Sequence, residues 1–303
     1  MENCNIDQYP QLNKPFKIIA FDWDGTAVVN RKVDASYVTG KLEELLKLGV
    51  YIVVISGTNF GNIDRQYSSL ITGKHKQKTY VLTNRGSEAY GFDENSNPVL
   101  LGRREATEEE NELLTRVADR SKKEIENTSK VNVNIVYNRL NRRKLDLIPE
   151  WPDPQKNEID KLLEETQKKL ENKGFAGGIQ KAFKMMGDIA KTSGLTKAKI
   201  TSDVKHLEVG LTDKADSINW MMEEIARKNS ISNEDILIGG DEFGSIGGFE
   251  GSDHKMVLNE PGITYLSVGI EPNGVPEPII HLGGGPDCFV KFLEKQLSIH
   301  NVA

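Results

Sequence analysis

Short unbroken apolar runs recur along the chain, each closed by a turn or a polar cluster. FKIIAF at 16–21, YIVVIS at 51–56, TYVLT at 79–83, DILIGG at 235–240 and ITYLSVG at 263–269 are rich in β-branched residues and do not alternate with polar ones. Such runs predict strands covered on both faces, as in a parallel sheet. Between the first two, residues 36–48 place Val38, Leu42, Leu45 and Leu46 at helical spacing, and Gly49 closes the helix, so the segment reads as a β-α-β unit.

The middle of the chain has another pattern. GFDENSNP at 91–98 is turn-rich, residues 107–128 form a charged helical stretch, and VNVNIVY at 131–137 alternates apolar with polar as a half-exposed antiparallel strand does. Pro149, Pro152 and Pro154 mark a loop, helices are expected over 156–172 and 179–192, and an alternating run at 198–209 leads into HLEVG. A helix then begins at 212–214 and runs through MMEEIARK, the apolar runs resume, and a last helix covers 287–298. The expected fold is α/β, a Rossmann-like parallel sheet core from residues 1–87 and 205–303, with an α+β cap inserted at 88–204.

With 303 residues, 28% charged and 37% hydrophobic, the composition is that of a soluble globular protein with room for two cores. A formal charge of -6 disfavours nucleic acid or an anionic membrane as partner, so attraction of an anionic substrate has to be local. Cys4 and Cys288 lack any metal-binding or redox spacing and are expected to be reduced thiols. No secretory leader and no long apolar span is read in the sequence, which makes a cytoplasmic location the expectation.

Candidate chemistry starts at FDWDGT, residues 21–26. Asp22 and Asp24 end the first apolar strand, where open α/β sheets gather their ligands, and their i, i+2 spacing lets both address one atom. Two carboxylates that close raise one another's pKa unless a cation neutralises them, and hard oxygen ligands favour magnesium. One Asp could then attack phosphorus while the other handles the proton of the leaving oxygen. Ser56 also ends a buried strand, and its hydroxyl with the following Gly57-Thr58 backbone can donate to phosphoryl oxygens. Lys214 heads a helix, where a cation opposes the helix dipole, so a structural lysine is poorly placed there. The run ILIGGDEFGSIGGFEGSD delivers Asp241 and Glu242 at a strand end and closes on Asp253.

Taken together, DWDGT, Ser56 after a strand, Lys214 at a helix start and GGD after a strand resemble the haloacid dehalogenase superfamily of phosphohydrolases. TNRG at 83–86 and HLEVGLTDKADSINWM at 206–221 are similar to its subclass IIB. The resemblance implies Asp22 as nucleophile, Asp24 as general acid/base, and Ser56 and Lys214 as holders of the phosphoryl group. It implies a magnesium site of Asp22, the backbone carbonyl of Asp24, and Asp241. Gly57 and Asn84 join the expected substrate contacts, and the insertion becomes a cap that closes on the leaving group.

The sequence departs from the family pattern at two places. Ser245 and Ile246 stand where a second acid usually follows Asp241, so Asp253, in Asp-His-Lys-Met, is taken as that acid and metal ligand across a lengthened loop, with Glu242 as its competitor. Glycine-rich lengthening is similar to the phosphomannomutase branch. Thr58 stands where an Arg more often follows the glycine of the second motif.

Within the cap, NRLNRRKLDLIPEW at 138–151 concentrates Arg139, Arg142, Arg143 and Lys144 in an acidic chain, and Arg142 and Arg143 are expected to contact an anionic substrate. An edge strand bearing solvated charge gives the same pattern. Glu150 and Trp151 could bind a sugar ring, or Trp151 could belong to the core. The expected function is a phosphoric monoester hydrolase acting through an aspartyl-phosphate on a small phosphate ester, with a sugar phosphate favoured. A phosphosugar mutase and a non-catalytic phosphosugar-binding protein are the alternatives.

Overall fold

The computed structural model describes residues 4–151, 159–246 and 248–302 and divides into two units. The first comprises residues 1–103, 214–245 and 250–303; the second comprises 104–213 with 246–249.

The first unit is built on an eight-stranded sheet. Its strands, numbered in chain order, are β1 (Ile18–Asp22), β2 (Tyr51–Ile55), β3 (Thr79–Thr83), β4 (Glu88–Phe92), β5 (Pro98–Arg103), β10 (Ile236–Gly240), β13 (Thr264–Ser267) and β14 (Ile280–His281). They lie in the order β14-β13-β10-β1-β2-β3-β4-β5, with every pairing parallel except the antiparallel β3-β4 and β4-β5. The absence of alternation in β1 has a direct cause. Ile19 and Phe21 face a core shared with helices α1 (Ser36–Lys47) and α7 (Gly285–Val302), while Ile18 and Ala20 face one shared with α6 (Lys214–Met221). A strand buried on both faces has no polar position to offer.

The second unit has a four-stranded antiparallel sheet in the order β6-β7-β9-β8, formed by β6 (Asn134–Arg139), β7 (Arg142–Asp146), β8 (Lys199–Asp203) and β9 (His206–Gly210). Helices α3 (Glu108–Thr128), α4 (Ile159–Asn172) and α5 (Gly178–Thr192) belong to it. Leu145 and Leu207 of the sheet join Leu114, Val117, Leu170, Ala182 and Met186 of these helices in a separate core. Thr107 and Glu110 begin α3 with a reciprocal capping box. The loop at Pro152 and Pro154, and the first residues of the helix expected from 156, lie outside the described residues.

Both limits of the expected insertion move. The GFDENSNP turn joins β4 to β5, which extend the large sheet by hairpins, so residues 88–103 belong to the first unit. HLEVG is β9, paired with β7 and β8, so the second unit runs on to Asp213. Glu150 and Trp151 also serve the second unit's own structure. Glu150 pairs with Lys173, and the half-buried Trp151 packs on the core with Lys169 over its ring at 5.0 Å.

Cys4 and Cys288 are paired as a disulfide with their Cα atoms 5.5 Å apart, which corrects the expectation of two reduced thiols. Residues 284 positions apart in the chain meet because the amino-terminal segment lies against the start of α7. Spacing in the sequence carries no trace of that contact.

Candidate active site

Asp22 is the last residue of β1, and its register partner on β2 is Ile55, the residue before Ser56. Trp23 turns the other way, fully buried, and its indole N–H donates to Gln66 at 2.9 Å. Asp24 lies in the turn that follows, 3.1 Å from the Arg31 guanidinium. Gly25 is required here for two reasons. Its φ of +91° suits glycine, and a Cβ at this position would lie 2.2 Å from the Asp241 carboxylate. Thr26 fixes that carboxylate from the same turn, donating to Asp241 Oδ1 at 3.0 Å.

Lys214, the first residue of α6, reaches back to the strand ends. Its ammonium donates to Asp22 Oδ1 at 2.8 Å, to Asp253 Oδ1 at 2.5 Å and to Ser252 Oγ at 3.3 Å. Burial alone would lower its pKa, but the adjacent charges of Asp22 and Asp253 outweigh that and raise it, so Lys214 stays charged. Asp253 is fully buried, and its other oxygen accepts the backbone N–H groups of Asp241 and Glu242 at 2.8 and 2.9 Å. Glu242 instead accepts from Ser252 Oγ at 3.0 Å.

One oxygen each from Asp22, Asp241 and Asp253 lies within 4.8 Å of the others. Burial is the largest cause raising the Asp22 pKa to about 7, with Asp253 and Asp24 adding to it and Lys214 opposing. Asp241 is pushed well above the carboxylate range by burial and by the charges of Asp253, Glu242 and Asp22. One ammonium does not neutralise this cluster. Its donor chemistry, clustered hard carboxylate oxygens held against their own repulsion, fits a divalent cation.

On the other side of Asp22, Ser56 is buried and its Oγ accepts the Thr58 N–H at 3.3 Å. The turn after β3 is joined to this loop by two backbone bonds, Asn84 N–H to Thr58 O at 2.8 Å and Arg85 N–H to Ser56 O at 3.2 Å. Asn84 donates its side-chain amide to Glu88 at 2.7 Å. The expected residues Asp22, Asp24, Ser56, Gly57, Asn84, Lys214, Asp241 and Asp253 thus all lie at or just beyond the carboxyl ends of β1, β2, β3 and β10, or on the elements that Lys214 and Asp253 bring to them.

Arg142 and Arg143 do not form one cluster, because neighbours in a strand point to opposite faces. Arg143 lies on the face packed against α3, donating to Thr115 Oγ1 at 3.1 Å and to the Asn111 and Arg142 carbonyls at 3.3 and 2.9 Å. Arg142 lies on the other face, 3.3 Å from Glu208.

No protein-family model matches the sequence, and no curated protein matches it. Among solved structures, the chain is similar to N-terminally truncated Plasmodium falciparum IMP-nucleotidase, with a TM-score of 0.62 and 11% identity over 97% of this chain and 74% of that one. Aspergillus fumigatus trehalose-6-phosphate phosphatase is a second, at TM-score 0.59 and 14% identity over 97% and 96% of the respective chains. The likeness shows a shared α/β fold built on a largely parallel sheet. At these identities the likeness is one of fold, and it bears out the α/β core with an inserted α+β unit.

Sequence reasoning passed over Thr26, Arg85 and Glu271. Thr26 was within sight, in the same turn as Asp24. Glu271 carried no signal, since its carboxylate is buried against the backbone N–H groups of Phe243 and Gly244 at 2.7 and 2.8 Å and against Ser267 Oγ at 2.6 Å.

Proposed function

We propose that the chain is a magnesium-dependent phosphatase of a small phosphorylated metabolite, a sugar phosphate foremost, of the subclass IIB type. The observation that carries this reading is the position of Asp22, a strand-end carboxylate 2.8 Å from the Lys214 ammonium and grouped with Asp241 and Asp253. A binding protein has no use for a carboxylate so placed.

In this reading an Asp22 oxygen attacks phosphorus and the bond to the leaving oxygen breaks, giving an aspartyl-phosphate. Asp24 donates a proton to the departing oxygen and then takes one from the water that cleaves the intermediate, restoring Asp22 and releasing phosphate. Arg31 keeps the Asp24 carboxyl oriented. Lys214 offsets repulsion between nucleophile and phosphate, while Ser56 and the Gly57 backbone donate to phosphoryl oxygens. Asp22, the Asp24 carbonyl, Asp241 and Asp253 would hold magnesium, which when bound supplies Lewis-acid neutralisation of the phosphoryl charge. The second unit is assigned the choice of leaving group, with Arg142 and not Arg143 as its anion contact.

No helix among the described residues is long and apolar enough to cross a membrane. A cytoplasmic site of action belongs to the same reading, and the Cys4–Cys288 disulfide is the observation that weighs against it. The substrate is taken to be a small phosphate ester, with neither nucleic acid nor membrane as a partner. A phosphate-release assay over sugar phosphates and nucleotides, with and without magnesium, tests the function. Absence of release from every ester would refute it, and isomerisation without release would transfer the assignment to a mutase.

A further inference from the structure

Asn84, Arg85 and Gly86 follow one another with φ of 52°, 53° and 86°. Glycine accepts the left-handed region freely and asparagine often does, but a long side chain such as arginine is unusual there and strained by about 1–3 kcal/mol. Glycine at position 85 would make the same turn with less strain, so what arginine adds is its side chain. That side chain is directed at the second motif. Arg85 Cγ and Nε both lie 3.6 Å from the point where a Cβ on Gly57 would stand, so its stem runs over the glycine that follows Ser56. The two backbone bonds from Asn84 and Arg85 to Thr58 and Ser56 fix this approach. Ser56 itself follows Ile55, the register partner of Asp22.

A phosphate ester entering between Asp22 and Ser56 meets Asp24, Asp241 and Asp253 as well as Lys214, which already serves two carboxylates. A second cation on the Ser56 side answers that imbalance, and a guanidinium presents paired donors to phosphate oxygens. The position after Gly57, which could carry such a group, is Thr58.

We propose that Arg85 is a substrate-binding residue that donates to the phosphoryl oxygens of the ester, supplying from the turn after β3 the cation that the loop after β2 lacks. The assignment rests on the phosphatase reading, and the test separates the two. Inorganic phosphate is the probe, because it has no leaving group. In Arg85→Gly, the inhibition constant of phosphate and the KM for an aryl phosphate should each rise about 10- to 100-fold, with the melting temperature unchanged or higher because the turn is relieved. Arg85→Lys should recover part of the affinity. If wild type hydrolyses esters and Arg85→Gly binds phosphate equally well, the proposal is overturned and the phosphatase reading survives. If wild type hydrolyses nothing, calorimetric titration of phosphate into both proteins still decides: weaker binding to Arg85→Gly supports the anion site, and equal or absent binding overturns it.

Discussion

Asp253 and Glu271 divide four successive backbone N–H groups between them, Asp241 and Glu242 going to Asp253 and Phe243 and Gly244 to Glu271. Carboxylates that accept backbone N–H bonds fix the loop delivering Asp241. Asp253→Ala should strip two buried donors and one contact of Lys214, costing about 3 kcal/mol or more and weakening magnesium binding about 10- to 100-fold. Glu242→Ala should cost less than about 1 kcal/mol, since Glu242 is linked through Ser252 and caps none of these N–H groups. Denaturation midpoints and metal titrations of the two variants compare them, and a larger loss for Glu242→Ala would reverse the assignment of Asp253.

In the protein without metal, burial raises the Asp22 pKa to about 7 and pushes that of Asp241 well above the usual carboxylate range. A carboxyl whose folded pKa lies above its unfolded value binds more protons folded than unfolded over the interval between them. Stability therefore falls as pH rises from about 4 to about 7. Magnesium competes with those protons, so the rise in melting temperature on adding it should be small at pH 5 and larger at pH 7.5. A magnesium effect independent of pH would detach the metal from this cluster.

The large sheet was legible because burial on both faces of β1, β2, β3, β10 and β13 leaves no polar alternation to misread. Lys214 was legible as well, since a lysine at a helix start opposes the dipole. What escaped depends on contacts that side-chain identity does not encode. Glu271 meets only backbone N–H groups and a serine, 27 and 28 residues from the amides it caps. β4 and β5 are short and joined by a polar hairpin, which hid their place in the large sheet. Arg85 stands in the TNRG stretch, but only its left-handed backbone places it beside Gly57, and sequence does not encode that.

Asp22→Asn keeps the shape of the side chain but cannot attack phosphorus, so turnover should fall below detection while the circular dichroism spectrum is unchanged. Asp24→Asn should retain more activity on aryl phosphates than on sugar phosphates, because an aryl oxide leaves with less protonation. Equal loss on both esters would deny Asp24 the role of general acid.

Asp146 is held at a pKa of about 2, burial being outweighed by bonds from His206 and Lys205. Its folded pKa lies below the unfolded value, so the stability it contributes is present above about pH 4 and is lost as pH falls through about 2. Asp146→Asn should cost about 2 kcal/mol at pH 7. The difference from wild type should close between pH 4 and pH 2, as followed by denaturant unfolding. A constant difference across that interval would mean that the carboxylate's charge contributes nothing.

Arg142 and Arg143 make the sharpest test of how the second unit is used, because strand alternation places them on opposite faces of one sheet. Arg143→Ala removes a buried guanidinium from Thr115, Asn111 and the Arg142 carbonyl, each of which loses a donor. It should destabilise the protein by about 3 kcal/mol with little change in kinetics. Arg142→Ala breaks the pair with Glu208 on the face away from the helices. If that face selects the substrate, KM for the physiological ester should rise by roughly one to two powers of ten while aryl phosphate turnover stays near wild type. Steady-state kinetics on both esters, beside thermal unfolding of both variants, separates the two roles. A rise in KM for Arg143→Ala as large as for Arg142→Ala would contradict the division by face.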